Sequence, residues 1–178
     1  AIMIETASLH VRLQKQPWRI LVYAAGKVGP GKKIFSSRSS KIPAHRIAQT
    51  DVVWDPSWNF YLRYGYSLGV ARRDGEASQV FDSFDLGYDE HIYGFGERYL
   101  PLDKRGQLVQ LWQQEVYSNT SSAAYKNIPF FVSSKGYGLF INTSYPITAR
   151  VGDLSSVACS IIVDRCLALD TYFIYGPT

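Results

Sequence analysis

Two stretches of the chain carry residues whose types and spacing could do chemistry. The first is "IYGFGERYLPLDKRG", residues 92–106, which sets Glu97 and Asp103 in a loop with Arg98, Lys104 and Arg105. A glycosidase needs two acids facing each other across a sugar, and Glu97 and Asp103 qualify by type. The same charges also make an Arg–carboxylate lattice that stiffens a loop, and that is the better-supported reading. The second stretch is "LWQQEVYSNTSSAAYKNIPFFVSSKGYG", residues 111–138. Here Trp112 ends a strand-like run, and Glu115 and Tyr117 enter a polar loop that closes at Tyr125. An aromatic beside a carboxylate suits sugar recognition, because the ring stacks on C–H faces while the acid accepts hydroxyl hydrogen bonds.

Other chemistries find no support. "GFGER" lacks the third glycine and following helix of a dinucleotide fingerprint, and no nucleophile elbow or Walker loop is present. Cys159 and Cys166 match no zinc spacing, and His10, His45 and His91 are scattered, so no metal or other cofactor is expected. Two cysteines make no disulfide framework in a domain this large, which points to a reducing, cytoplasmic setting. The triplets at Asn119 and Asn142 are of a kind that arises often by chance. Six Lys and Arg fall between Lys27 and Arg46 without an acid, but Gly, Pro and Ser break the run. It reads as a solvated loop or hairpin tip, not a nucleic-acid surface. No apolar run reaches membrane-spanning length and no signal-peptide pattern opens the chain.

The elements that must position these residues are strands. Of the 178 residues, 46% are apolar and 15% aromatic, with thirteen Tyr, a composition of a globular and β-rich chain. "SLHVRLQ" puts Leu9, Val11 and Leu13 on one face, and "FYLRYGYSLGV" does the same for residues 60 to 70. "YGLFINT" aligns Leu139 with Ile141, and "LALDTYFIY" aligns Leu167, Leu169 and Phe173. Turn signals punctuate them at 29–31, Asp55-Pro56, Asp74-Gly75, Lys135-Gly136 and Gly152-Asp153. Asp74-Gly75 and "SSKGYG" mark hairpins, and residues 99–105 and 118–125 read as loops or short helical turns. No segment shows helical periodicity over three turns. "DEHIYGFG" reads as a strand with Gly94 and Gly96 on one face, leaving a groove for another strand's aromatic or for a ligand.

At "IYGFGERYLPLDKRG", "LWQQEVYS" and "YKNIPFFVSSKGYGLFIN" the sequence resembles glycoside hydrolase family 31, nearest its α-xylosidase and α-glucosidase branch. "TASLHVRLQKQPWRILVY" is similar to that family's first strands and "YFIYGPT" to the strand before its catalytic barrel. The resemblance implies an all-β, antiparallel sandwich of galactose-mutarotase-like type over residues 1–178, without the (β/α)8 barrel. That barrel takes about 250 residues and carries the nucleophile and acid/base, both Asp, of a retaining α-glycosidase. The implied partners are the barrel and, through the parent enzyme, an α-linked glycoside. This segment alone is expected to be inactive, and its uncovered docking face would favour homo-oligomers. The family's rim loop carries Trp-Asn-x-Asp; here Trp112-Gln113-Gln114-Glu115 stands in its place. Glu115, with Trp112 and Tyr117, is therefore the candidate substrate contact, while Glu97 is implied to be structural. The alternatives are a self-standing carbohydrate-binding module and, last, an aldose mutarotase.

Overall fold

The computed structural model describes residues 1–15, 18–38, 68–73, 76–115, 123–166 and 168–176. Most of "FYLRYGYSLGV", the pairs Asp55-Pro56 and Asp74-Gly75, Leu167, and Tyr117 with the start of the 118–125 loop lie outside them. Among the described residues every element is a strand or a loop, and no helix forms.

Strands β1 (Ile2–Glu5), β2 (Leu9–Lys15), β3 (Trp18–Ala25) and β4 (Pro30–Ser36) make one sheet in that order. A second sheet takes β5 (Leu68–Arg73), β6 (Glu76–Asp85), β8 (Gln107–Leu111), β11 (Ile147–Val151) and β12 (Ala158–Asp164), ordered β5-β6-β12-β11-β8. The third takes β7 (Ile92–Gly94), β9 (Phe130–Ser133), β10 (Tyr137–Ile141) and β13 (Thr171–Tyr175), ordered β13-β10-β9-β7. All these strand pairs are antiparallel. The expected "SSKGYG" hairpin joins β9 to β10, with the Gly136 N–H donating to the Ser133 carbonyl. The exposed Lys27, Lys32 and Lys33 flank the β3–β4 hairpin, as the broken basic run suggested.

Alternation decides which faces turn inward. Tyr137, Leu139 and Ile141 of β10 are buried together, and Val109 with Leu111 of β8 likewise. Leu9 and Val11 pack on the core from β2. A run of rings then ties the three sheets. Phe35 lies 5.2 Å from Phe173 and 5.3 Å from Phe84, Phe84 lies 5.7 Å from Phe131, and Phe131 lies 5.3 Å from Phe95. Each such contact adds about 0.5–1.5 kcal/mol beyond burial. The β4 end crosses directly onto β6 through a Ser37–Phe84 bridge, and β3 joins β6 through a 3.0 Å ion pair of Arg19 with Asp85. Where the sheets converge, Leu9, Val22, Phe35, Phe84, Leu139 and Phe173 help to line an apolar cavity of about 230 Å³, onto which Asp82 of β6 opens.

Candidate functional site

The corner that carries both chemical stretches begins where β7 ends. The strand stops at Gly94 instead of running on through Gly96. Three successive residues then take left-handed φ: Gly94 at 122°, Phe95 at 66° and Gly96 at 88°. A Cβ on Gly96 would sit 2.0 Å from the Lys126 carbonyl oxygen, and one on Gly94 would sit 2.7 Å from that of Phe130. The space opposite the glycines is therefore filled by the backbone of residues 126–131. That backbone leaves no room there for an aromatic side chain or a ligand. Phe95 adopts a conformation that costs a non-glycine residue of order 1–3 kcal/mol. Its fully buried ring against Phe131 and its N–H bond to the Phe130 carbonyl, 2.8 Å, offset that strain.

Turning the chain this way aims Arg98 inward. Its Nε donates to the Phe95 carbonyl at 3.1 Å, and one terminal nitrogen donates to the Gln110 carbonyl at 2.5 Å and to Asn127 Oδ1. Burial lowers the guanidinium pKa, which still leaves it cationic. Asn127 Nδ2 in turn lies 2.9 Å from the Trp112 carbonyl, 2.8 Å from Gln113 Oε1 and 2.6 Å from the Ala124 carbonyl. The Asn127 N–H donates to Gln113 Oε1 as well, and the Gln114 N–H to the Ala124 carbonyl, both at 3.1 Å. One side-chain amide thus clasps the loop leaving β8 to residues 124–127. Beyond the clasp Trp112 and Glu115 are exposed, Trp112 by 56%. Tyr117 lies outside the described residues.

The two carboxyls of the first stretch are engaged separately. Glu97 pairs with Lys126 at 2.6 Å, both well exposed. Asp103 Oδ2 pairs with His91 Nδ1 at 2.6 Å, and its Oδ1 accepts the Arg105 N–H at 3.0 Å. Partial burial pushes the Asp103 carboxyl up, but the bonds from Arg105, His91 and Ile92 outweigh it and hold it below the usual carboxylate range. The Arg–carboxylate lattice read from the sequence needs correcting. The arginines serve backbone carbonyls instead: Arg105 reaches those of Gly87, Glu90 and Ser156, each at 2.8 Å. The buried Lys104 donates to the Pro101 carbonyl. Ionic side chains here do the work of closing loops.

Two residues that matter at this corner, Asn127 and Glu90, were not singled out from the sequence, and Gln113 stands out there only as a departure from Trp-Asn-x-Asp. Asn127 gives no signal, since a neutral amide in a loop has no charge pattern or periodicity. Glu90 carried one: it is an acid at the entrance to an apolar strand. It is buried and accepts bonds from Ser133 Oγ at 2.5 Å, Tyr137 Oη at 2.7 Å and the Gly87 N–H at 2.8 Å. The depression between residues 97–99 and 123–126 holds about 40 Å³, room for about one water.

The chain is thus an all-β scaffold with an exposed acid on a clasped loop, and its loop acids Glu97 and Asp103 are each held in an ion pair. Residues 1–149 match the family described as the glycosyl hydrolase 31 N-terminal galactose mutarotase-like domain, and the chain belongs to that family. The chain is 38% identical over 115 residues to α-xylosidase XylQ of Lactiplantibacillus pentosus, covering 61% of this chain and 14% of that protein. It is 29% identical over 161 residues to an α-xylosidase of Emericella nidulans, covering 78% and 19% respectively. Its fold is similar to that of a glycoside hydrolase 31 dextranase of Flavobacterium johnsoniae solved with glucose. That match has a TM-score of 0.71 and 23% identity, and covers 98% of this chain and 17% of the dextranase. The chain spans less than a fifth of the length of each of these proteins.

Proposed function

We propose that this chain is the amino-terminal sandwich of an α-xylosidase- or α-glucosidase-type enzyme. In that role it seats on the catalytic barrel and lends the Trp112–Glu115 loop to the rim of the substrate pocket. The observation that carries the reading is the clasp: Asn127 and Arg98 hold the stem of a loop that presents an exposed acid, Glu115, and an exposed indole, Trp112. Holding a side chain in place without burying it serves recognition more than stability. A retaining site needs two carboxyls about 5–5.5 Å apart. Glu97 and Asp103 are committed to Lys126 and His91. The chemistry is thereby left to the barrel, and this chain alone turns over no α-glycoside.

The test is Glu115→Gln and Glu115→Asp in a form that includes the barrel. A charged hydrogen bond to a sugar hydroxyl contributes roughly 1.5–3 kcal/mol, so Gln lowers kcat/KM by about ten- to a hundredfold with an unchanged melting temperature. Asp retains the charge and loses less. Wild-type kinetics in both variants would take Glu115 off the rim.

A further inference from the structure

We infer that the outward face of the β13-β10-β9-β7 sheet is the seat on which the catalytic barrel of the parent enzyme docks. The inference rests on the proposed function above and goes further by assigning the surface. Strand register defines that face. Tyr93, Val132, Gly138 and Ile174 stand side by side across the four strands, and Phe130, Phe140 and Tyr172 form the next row. None of the seven is charged. Val132 is 41% exposed, Ile174 48% and Tyr172 54%, while their sequence neighbours Phe131 and Phe173 point into the core.

The surface is shaped as well as apolar. A Cβ at Gly138 would meet the Phe130 ring at 2.8 Å, so this ring lies down over the glycine. Beside it runs an open groove of about 220 Å³ lined by Phe130, Val132, Gly136, Gly138, Ile174 and Gly176. Such a groove receives a protruding side chain. The strand order adds to its exposure. Among the described residues β13 pairs only with β10, and none of them pairs with its other edge. An open strand edge beside an apolar face is a liability that natural proteins cover.

The occupant follows from chemistry and from size. Sugars require several convergent polar groups, whereas within these two rows the only side-chain polar groups are the hydroxyls of Tyr93 and Tyr172, with His91, Ser134, Asn142 and Asp170 at the ends of the face. The family is an N-terminal domain, and this chain spans 14% and 19% of its two α-xylosidase relatives, so most of each lies outside this domain. A continuation past β13 leaves from the edge of this same sheet. A large domain that follows is the neighbour best placed to cover it.

The experiment places Val132→Lys and Ile174→Lys together in two forms, the 178-residue chain and the same chain extended through the barrel. A lysine on an open surface changes little, whereas a lysine pressed into an apolar interface destabilises. The extended form is expected to melt at least about 5 °C lower, and the 178-residue chain to shift by less than about 2 °C while becoming more soluble. A second readout does not require the charged variant to fold. With Cys166 changed to Ser, an Ile174→Cys thiol should be alkylated roughly tenfold more slowly in the extended form, because access controls thiol reactivity. Equal alkylation rates, or equal melting shifts in the two forms, would overturn the assignment. So would a dimer of the 178-residue chain that persists in the extended form and is abolished by the lysines, since the occupant would then be a second copy. A Glu115 null result with slow alkylation would remove the rim loop and leave the docking face standing. The converse pattern would do the opposite.

Discussion

Asn127 offers the sharpest test of how the candidate loop is held. Asn127→Ala removes the donor that serves the Trp112 carbonyl, Gln113 Oε1 and the Ala124 carbonyl, together with the acceptor for Arg98. Water replaces the bonds to Trp112 and Gln113, which are exposed, so those losses fall at the low end of about 0.5–1.5 kcal/mol each. Ala124 is buried and Arg98 is a half-buried cation, so their losses fall at the high end. A total of about 4 kcal/mol corresponds to a melting temperature lower by roughly 8–16 °C in a domain of this size. Asn127→Asp divides the effect: it retains an acceptor for Arg98 but sets a carboxylate against two carbonyls. Its melting temperature should fall less, while the Gln114 amide, which bonds to Ala124, exchanges with solvent as fast as in the alanine variant. Thermal melts by circular dichroism and hydrogen exchange of residues 112–115 check both. If Asn127→Ala melts within about 1 °C of wild type and Gln114 exchange is unchanged, the clasp is only a surface contact and the fixed-loop argument fails.

Glu90→Gln keeps one acceptor oxygen but turns an amide donor toward either the Gly87 N–H or the Ser133 and Tyr137 hydroxyls, and should cost about 2–3 kcal/mol, read as a lower urea midpoint at constant m. Tyr137→Phe leaves two of the three donors and should cost about 1 kcal/mol. Asp82 shares the inward face of β6 with Val80 and Phe84, and burial pushes its carboxyl up to about 7 against the opposing pull of the Ser83 N–H bond. The fold favours its protonated form, so the stability it contributes is full below about pH 4 and is lost as pH rises through 7. The displacement sets a ceiling of about 4 kcal/mol, which partial exposure to solvent reduces to about 1–3. Urea midpoints at pH 5 and 8.5 should therefore differ in wild type and converge in Asp82→Asn; an unchanged difference would place the titration elsewhere.

The strands were legible because burial imposes a period of two that side chains cannot hide. Leu139 and Ile141, the "SSKGYG" hairpin and the inward Leu9 and Val11 all follow from it. The corner at 94–98 was misread for the same reason. Gly-x-Gly after Ile92 prolongs the alternation, and nothing local signals that Phe95 turns left-handed, because the carbonyls crowding those glycines come from residues 126 and 130. Charge patterns misled in a similar way. Arg98 and Arg105 stand beside acids in sequence but bond to carbonyls of Gln110, Gly87 and Ser156, contacts that depend on long-range folding. The resemblance carried the family, which neither composition nor periodicity could supply.

The same geometry bears on the loop's departure from the family pattern it resembles. Trp112-Gln113-Gln114-Glu115 lengthens both amide and acid by one methylene relative to Trp-Asn-x-Asp. Gln113 uses its extra reach at home: its Oε1 accepts from both the Asn127 N–H and Nδ2, and its backbone bridges Ala124. A shorter side chain at 113 would withdraw that oxygen from Asn127 by about one bond length. The glutamine is thus part of the clasp. Among the described residues Glu115 has no comparable tie, and it is exposed. On this reasoning Gln113→Asn should loosen the loop as Asn127→Asp does, with faster Gln114 exchange at a modest cost in melting temperature. Restoring Asp at position 115 should leave exchange unchanged. Exchange that responds to position 115 and not to position 113 would reverse the division of labour between the two lengthened side chains.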